Sequence, residues 1–176
     1  LITGIATAYM DSIPMVALTG QVATKLIGKD AFQEVDITGA TLPFTKHSYL
    51  IKDGLDIPRV VNEAFHIANT GRPGPVLIDF PMDLLKKEFD YPEEDEDVNI
   101  RGYKLMGKAN ESQVKKVAEA IKGAKKPVIL AGGGVVISDA TNEFRKFVKE
   151  TDIPVVSTMM GIGILPSDNP RYYGMI

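Results

Sequence analysis

The apolar positions in the first half of the chain follow the order strand, helix, strand. Short apolar runs at residues 15–18, 47–51 and 75–78 predict strands, and the last is continuous enough to be buried on both faces of a parallel sheet. A helix is expected between Asp56, a suitable N-cap, and Gly71, a suitable stop. Its apolar residues recur on one face: Val60, Val61, Ala64, Phe65 and Ala68. This arrangement indicates a βαβ crossover.

The second half of the chain repeats the alternation after a break in periodicity. Residues 89–109 are rich in acidic residues and predict an interdomain linker. A helix follows, with Asn110 as its N-cap, and then strands at 128–131 and from Val155 onward, with another helix between them. The pattern therefore predicts an α/β fold with two α/β domains.

Composition narrows the range of functions. The chain has 176 residues, 44% apolar and 24% charged, and its net charge of −3 gives no reason to expect nucleic acid or an anionic membrane as a partner. Because cysteine is absent, neither a disulfide nor a Cys-type zinc site can form, which fits a cytoplasmic location. No apolar run approaches the roughly 18 residues of a membrane span. The chain starts at Leu1 without an initiator methionine, and we expect a fragment of a longer protein.

The segment after the first predicted strand is the first candidate site. Residues 20–34 follow the strand's carboxyl end, where ligands bind in α/β sheets, and they carry Phe32 and Gln33 side by side. An aromatic ring and a neutral amide suit a small organic substrate. The alternative is a surface loop with Phe32 packed back into the core.

Three glycines and an arginine are candidates for binding phosphate or a cofactor. Gly132, Gly133 and Gly134 follow a strand, where they either let a phosphate approach the backbone or simply form a tight turn. Arg72 lies in a Gly-Arg-Pro-Gly-Pro loop, whose prolines stiffen the backbone that presents its guanidinium, although a solvated arginine is the alternative. We predict no metal ligands, since the two histidines have no ligand cluster around them in sequence.

Five motifs together resemble the acetolactate synthase family of thiamine-diphosphate enzymes, also called acetohydroxyacid synthases. They are Asp-Ala-Phe-Gln-Glu at 30–34, Thr-Lys-His-Ser-Tyr at 45–49, the Gly-Arg-Pro-Gly-Pro segment at 71–79, the glycines at 132–134 and Ser-Thr-Met-Met-Gly at 157–161. The resemblance implies a partial pyrimidine-binding-type parallel α/β domain at residues 1–88, the linker at 89–109, and the start of a Rossmann-like central domain at 110–176.

The resemblance also implies an activity. Enzymes of this family decarboxylate pyruvate on thiamine diphosphate and join the product to pyruvate or 2-ketobutyrate, with Mg²⁺ and FAD as further cofactors. They form homodimers or homotetramers, in some cases with a small regulatory subunit. Phe32 and Gln33 match family residues that line the substrate site. The resemblance places Arg72 and five residues of the central domain along FAD: Gly132, Gly133, Gly134, Thr158 and Met159. The family's activating glutamate and its diphosphate-binding domain lie outside the chain, so the chain alone is expected to be inactive.

Some positions depart from the family pattern and keep other functions open. Ala23, Thr24, Lys25 and Met82 replace the residues that border the family's substrate entrance. The alternatives are another thiamine-diphosphate enzyme, such as a sulfoacetaldehyde acetyltransferase, a glyoxylate carboligase or a pyruvate oxidase, or a non-catalytic nucleotide-binding module.

Overall fold

The protein, seen here in a computed structural model, divides into two compact units. The structure describes residues 1–90 and 98–176. The first unit covers residues 1–107 and the second covers residues 108–176. Most of the predicted acidic stretch lies outside the described residues. Each unit is an α/β structure with a parallel three-stranded sheet, which confirms the predicted fold class.

The first unit is built on a sheet whose central strand is the last one in sequence. The strand order is β1-β3-β2, all parallel, with Met15 opposite Pro75 and His47 opposite Val76. Three-residue 3₁₀ turns precede or follow several elements. The helices and strands of this unit are α1 (Ile2–Met10), β1 (Met15–Gln21), α2 (Ile37–Thr41), β2 (His47–Leu50), α3 (Ile57–Asn69), β3 (Pro75–Pro81) and α4 (Met82–Leu85).

Strand β3 forms the centre of the first unit. All seven of its residues are buried, as its continuous apolar sequence predicts. The strand runs three residues beyond the predicted end at Ile78, because Asp79, Phe80 and Pro81 continue the parallel pairing with β1. An aspartate therefore lies inside the central strand, at its carboxyl end.

Helix α3 covers this sheet and differs from the prediction at its ends. It stops at Asn69 rather than at Gly71, because the following residue, Thr70, adopts an extended conformation. The side chain of Asp56 makes no N-cap hydrogen bond and instead forms an ion pair with Arg59 at 2.8 Å. Phe65 was predicted on the apolar face, but it lies at the edge of that face and is 55% exposed.

The segment predicted as a linker is partly packed in the structure. Phe89, Ile100 and Tyr103 contact the core of the first unit. The Tyr103 hydroxyl lies 2.9 Å from Thr70 Oγ1 and donates to the Thr70 carbonyl at 3.2 Å. Through these contacts, the described residues up to 107 pack with the first unit.

The second unit has the strand order β4-β5-β6, again all parallel. Its first helix is capped as predicted, since the Asn110 side chain accepts hydrogen bonds from the N–H groups of Ser112 and Gln113. In the described residues of both units, no helix is long and apolar enough to cross a membrane. The elements of this unit are α5 (Glu111–Gly123), β4 (Ile129–Ala131), α6 (Gly134–Ile137), α7 (Thr141–Thr151), β5 (Val155–Ser157) and β6 (Tyr172–Met175).

Candidate functional site

A buried carboxylate organises the carboxyl end of the first sheet. Asp79 is only 1% exposed, and it accepts hydrogen bonds from Thr19 Oγ1 at 2.7 Å and from Gln21 Nε2 at 2.9 Å. Thr19 and Gln21 lie on the neighbouring strand β1. Both carboxylate oxygens therefore have a donor, which removes the cost of burying them without a partner.

Gln21 joins this network to the far end of the loop that leaves β1. Its amide nitrogen also donates to the Val35 carbonyl at 2.8 Å, and its amide oxygen accepts from the Val22 N–H at 2.9 Å. One side chain thus holds residues 22 and 35, the two ends of the loop, against the sheet. The sequence analysis missed Gln21 and Asp79, although a carboxylate directly after a buried apolar run is a usable signal.

A second aspartate fixes the start of the same loop. Asp83, in α4, accepts hydrogen bonds from the Thr24 hydroxyl at 2.6 Å and from the Thr24 N–H at 2.9 Å. The hydrogen bond from the Thr24 side chain, followed by that from its backbone, lowers the pKa of Asp83 below its ordinary value. Asp79 and Asp83 therefore both anchor the loop, through donors on β1 and at the start of the loop.

The tip of the loop is held by Glu34. Its carboxylate accepts hydrogen bonds from the N–H groups of Gly28 and Ala31, the latter at 2.9 Å, and the Glu34 N–H donates to the Ala31 carbonyl at 3.0 Å. These backbone hydrogen bonds, with that from Gly28 the largest cause, lower the pKa of Glu34. The turn contains two side-chain-bearing residues in the left-handed region, Asp30 at φ 53° and Gln33 at φ 63°.

The loop presents Phe32 and Gln33 outward. Phe32 is 90% exposed, so the alternative in which its ring packs into the core of this unit is wrong. Gln33 is exposed next to it. Their contact with a substrate stays a prediction.

Arg72 lies in the first unit and is tied to the end of α1. Its Nε donates to Ser12 Oγ at 2.8 Å and its Nη2 donates to the Met10 carbonyl at 3.1 Å. It lines a surface cavity of about 520 Å³ in this unit, together with two other cations, Lys46 and Lys104. The arginine is therefore a positioned side chain in a cationic surrounding, and its role toward a cofactor stays a prediction.

Gly132 and Gly133, which follow β4, lie against Thr158 and Met160, which follow the neighbouring strand β5. The Thr158 N–H donates to the Ala131 carbonyl at 3.0 Å, and a Cβ on Gly132 would lie 3.5 Å from Thr158 Oγ1. A Cβ on Gly133 would lie 2.9 Å from the Cβ of Met160, which is too close without a shift. The segment after β4 can therefore pack closely against the segment after β5 because it carries glycines, which have no Cβ.

The edge formed by these residues offers hydrogen-bond donors. Among the hydrogen bonds between described residues, none uses the N–H of Gly132, Gly133 or Gly134 as a donor. Thr158 is half-buried beside them and Met159 is 70% exposed. The structure therefore brings the five predicted residues of this unit to one edge, where free N–H groups suit an anionic group.

No candidate metal site accompanies either edge. Within residues 1–90 and 98–176, no group of three or more His, Asp or Glu side chains is placed to hold a metal ion. We therefore assign none of these residues to a metal.

Comparison with known proteins gives two family matches. Residues 1–40 match the family described as thiamine pyrophosphate enzyme, N-terminal TPP binding domain. Residues 114–176 match the family described as thiamine pyrophosphate enzyme, central domain. The first match contains the loop with Phe32, and the second contains the glycine edge.

Individual relatives match the chain along nearly its whole length. It is 47% identical over 179 residues to the acetolactate synthase large subunit of Buchnera aphidicola subsp. Schizaphis graminum, covering 99% of this chain and 31% of that protein. The probable acetolactate synthase large subunit of Methanocaldococcus jannaschii is 50% identical, with 100% and 30% covered. The acetolactate synthase of Mycobacterium leprae is 48% identical, with 99% and 28% covered. The chain thus spans less than a third of the length of these relatives, and it belongs to the family of thiamine pyrophosphate enzymes.

Proposed function

We propose that the chain is part of a carboligase that decarboxylates pyruvate and joins the remaining two-carbon unit to a second 2-keto acid, giving 2-acetolactate or 2-aceto-2-hydroxybutyrate. The observation that carries this proposal is the similarity of 44–50% identity, across 99–100% of the chain, to proteins named acetolactate synthase. The exposed Phe32 and Gln33, on a loop anchored at the carboxyl end of a parallel sheet, support it.

Thiamine diphosphate is the proposed cofactor, because residues 1–40 match a TPP binding domain. When bound, it supplies the carbon nucleophile for pyruvate and the electron sink for decarboxylation. Two residues of this chain, Phe32 and Gln33, are proposed to contact the substrate. We propose that the Phe32 ring gives one apolar wall of the substrate site and that the Gln33 amide donates a hydrogen bond to a keto-acid oxygen.

FAD is proposed as a second cofactor. The edge of the second unit fits a flavin nucleotide, since the N–H groups of Gly132, Gly133 and Gly134 are available to a diphosphate and the Thr158 hydroxyl lies beside them. The exposed thioether of Met159 offers an apolar contact. Arg72 is proposed as a further FAD contact, through the guanidinium N–H groups that Ser12 and Met10 do not use.

The remaining proposals concern the whole enzyme: its use of Mg²⁺, its second keto acid and its assembly. None of the described residues forms a metal-binding group, so we derive no step through a metal. We propose pyruvate and 2-ketobutyrate as substrates and a homodimer or homotetramer as the assembly, with a small regulatory subunit as a further partner.

The test is an assay of the enzyme that contains this chain. Purified enzyme would be incubated with pyruvate, thiamine diphosphate, Mg²⁺ and FAD, and acetolactate would be measured with and without 2-ketobutyrate. We expect acetolactate from pyruvate alone and 2-aceto-2-hydroxybutyrate when 2-ketobutyrate is added. Oxidative consumption of pyruvate, with oxygen as the electron acceptor and acetate or acetyl phosphate as the product, would instead refute the carboligase and favour a pyruvate oxidase.

A further inference from the structure

The carboxylate of Glu34 is shared between two parts of the loop that carries Phe32. Oε1 accepts from the N–H of Gly28, and Oε2 accepts from the N–H of Ala31 at 2.9 Å. The two donors are three residues apart, on the approach to the turn at Phe32 and Gln33. A single carboxylate therefore closes the loop across the base of this turn, with one oxygen for each donor.

The backbone that is closed in this way is strained. Two residues with side chains, Asp30 and Gln33, have positive φ values of 53° and 63°. Residues with a side chain occupy this left-handed region only when surrounding contacts hold them there. Phe32 has no packing that could do so, since it is 90% exposed. Two kinds of contact fix the conformation of the turn: the hydrogen bonds to the Glu34 carboxylate, and the backbone hydrogen bond from the Glu34 N–H to the Ala31 carbonyl at 3.0 Å. The carboxylate is the one that also ties the turn to Gly28.

We propose that Glu34 is a positioning residue, which holds the Phe32–Gln33 turn in the conformation that meets the substrate. The inference rests on the proposed function, in which those two side chains line the substrate site. Fixing the turn before substrate arrives removes the entropic cost of ordering it during binding. Glu34 itself acts through its neighbours and not on the reacting atoms.

The N-cap of α2, directly after the loop, offers a matched control. Asp36 is also exposed to solvent and also accepts a backbone hydrogen bond, from the Gly39 N–H at 2.8 Å, where it caps α2. The Thr38 hydroxyl donates to it as well, at 2.9 Å, and both donors use the same oxygen, Oδ1. An amide keeps one acceptor oxygen and turns the other position into a donor. Asp36→Asn therefore retains both hydrogen bonds, whereas Glu34→Gln must lose one of its two.

The first measurement is hydrogen–deuterium exchange, read by mass spectrometry on the enzyme that contains this chain. In Glu34→Gln, we expect exchange of residues 28–33 to become about ten-fold faster, because the lost hydrogen bond frees the turn. In Asp36→Asn, which removes the same charge, exchange of these residues should match that of the unaltered enzyme. Equal exchange in the two variants would overturn the proposal.

The second measurement is kinetic and separates positioning from a general structural role. Glu34→Gln should lower kcat/KM for pyruvate by roughly ten-fold, since misplacing a substrate-lining group has effects of this size or larger. The melting temperature and the activity of Asp36→Asn should stay unchanged. In a Phe32→Ala background, Glu34→Gln should cost less than about three-fold, because contacting residues that act together are not additive.

These results distinguish the proposal from the function on which it rests. A full ten-fold loss in the Phe32→Ala background, or a loss explained by a lower melting temperature, would overturn the positioning role. An unaltered enzyme that makes no acetolactate would instead refute the proposed function. The exchange contrast between Glu34→Gln and Asp36→Asn would then decide by itself whether Glu34 fixes the turn.

Discussion

Phe32→Ala separates a substrate contact from a structural one, because the ring is almost entirely outside the fold. Full burial of a phenylalanine contributes about 3 kcal/mol at most, and Phe32 is 90% exposed. Its contribution to the free energy of unfolding is therefore about 0.3 kcal/mol. For a unit of this size, that shifts the melting temperature by about 2 °C.

The effect on catalysis should be much larger. If the substrate covers the ring, truncation removes contacts that contribute about 1–3 kcal/mol to binding and to the transition state. This corresponds to a loss in kcat/KM of roughly five-fold to a hundred-fold. The assay is acetolactate formation over a range of pyruvate concentrations, with the melting temperature of each variant measured in the same buffer.

Phe65→Ala is the matched control, since it removes the same side chain from α3 in the same unit. Phe65 is 55% exposed, so its truncation should cost about 1 kcal/mol of stability and leave kcat/KM unchanged. The reasoning is refuted if Phe32→Ala lowers the melting temperature by more than Phe65→Ala does and kcat/KM merely follows the folded fraction.

Four further outcomes are expected. Arg72→Ala should weaken FAD binding by about ten-fold to a hundred-fold in a flavin titration, and Arg72→Lys should recover only part of it, since an ammonium lacks the planar fork; unchanged affinity would remove Arg72 from the site. Asp79→Leu should lower the free energy of unfolding by about 1–3 kcal/mol in urea titration, because it removes the acceptor of both the Thr19 hydroxyl and the Gln21 amide, and a neutral result would contradict the network. Asn110→Ala should cost about 1 kcal/mol by the same measurement, and a smaller loss than that of Asn110→Gly would argue against its capping role. The pKa of Glu34 is lowered in the folded state, so the stabilisation from its hydrogen bonds is complete at any pH above the ordinary pKa of 4.5 and is lost as the pH falls through the lowered pKa. Faster hydrogen exchange of residues 28–33 should therefore appear only at acid pH. Fast exchange of these residues already near neutral pH would contradict this prediction.

The fold class could be predicted because each sheet depends on patterns that are local in sequence. The continuous apolar run that begins at Pro75 indicates a strand buried on both faces, and β3 is indeed fully buried. Periodicity does not specify the order of strands, and the central position of β3 follows only from the three-dimensional pairing. The exposure of Phe65 was missed for a similar reason, since a helical face has an edge whose burial depends on what packs there.

The candidate residues could be found from motifs, but the residues that hold them could not. Phe32 and Gln33 stand out as an aromatic and an amide in a loop after a strand. The anchoring role of Asp79 could not be found in this way. Its role depends on Thr19 and Gln21, which lie about 60 residues away in sequence, at separations of 60 and 58.

Glu34 and Asp36 show most directly why such a loop needs a structure. Both are carboxylates in one short polar segment, both accept from backbone N–H groups, and sequence gives no reason to treat them differently. The difference lies in the backbone, because only a turn with left-handed residues brings the N–H groups of Gly28 and Ala31 onto separate oxygens of one side chain. A carboxylate is then required at 34, whereas at 36 one oxygen is enough and an amide serves equally well. Glu34→Gln and Asp36→Asn each remove one negative charge, so a difference between them in the same assay reports the geometry of the loop and not its charge.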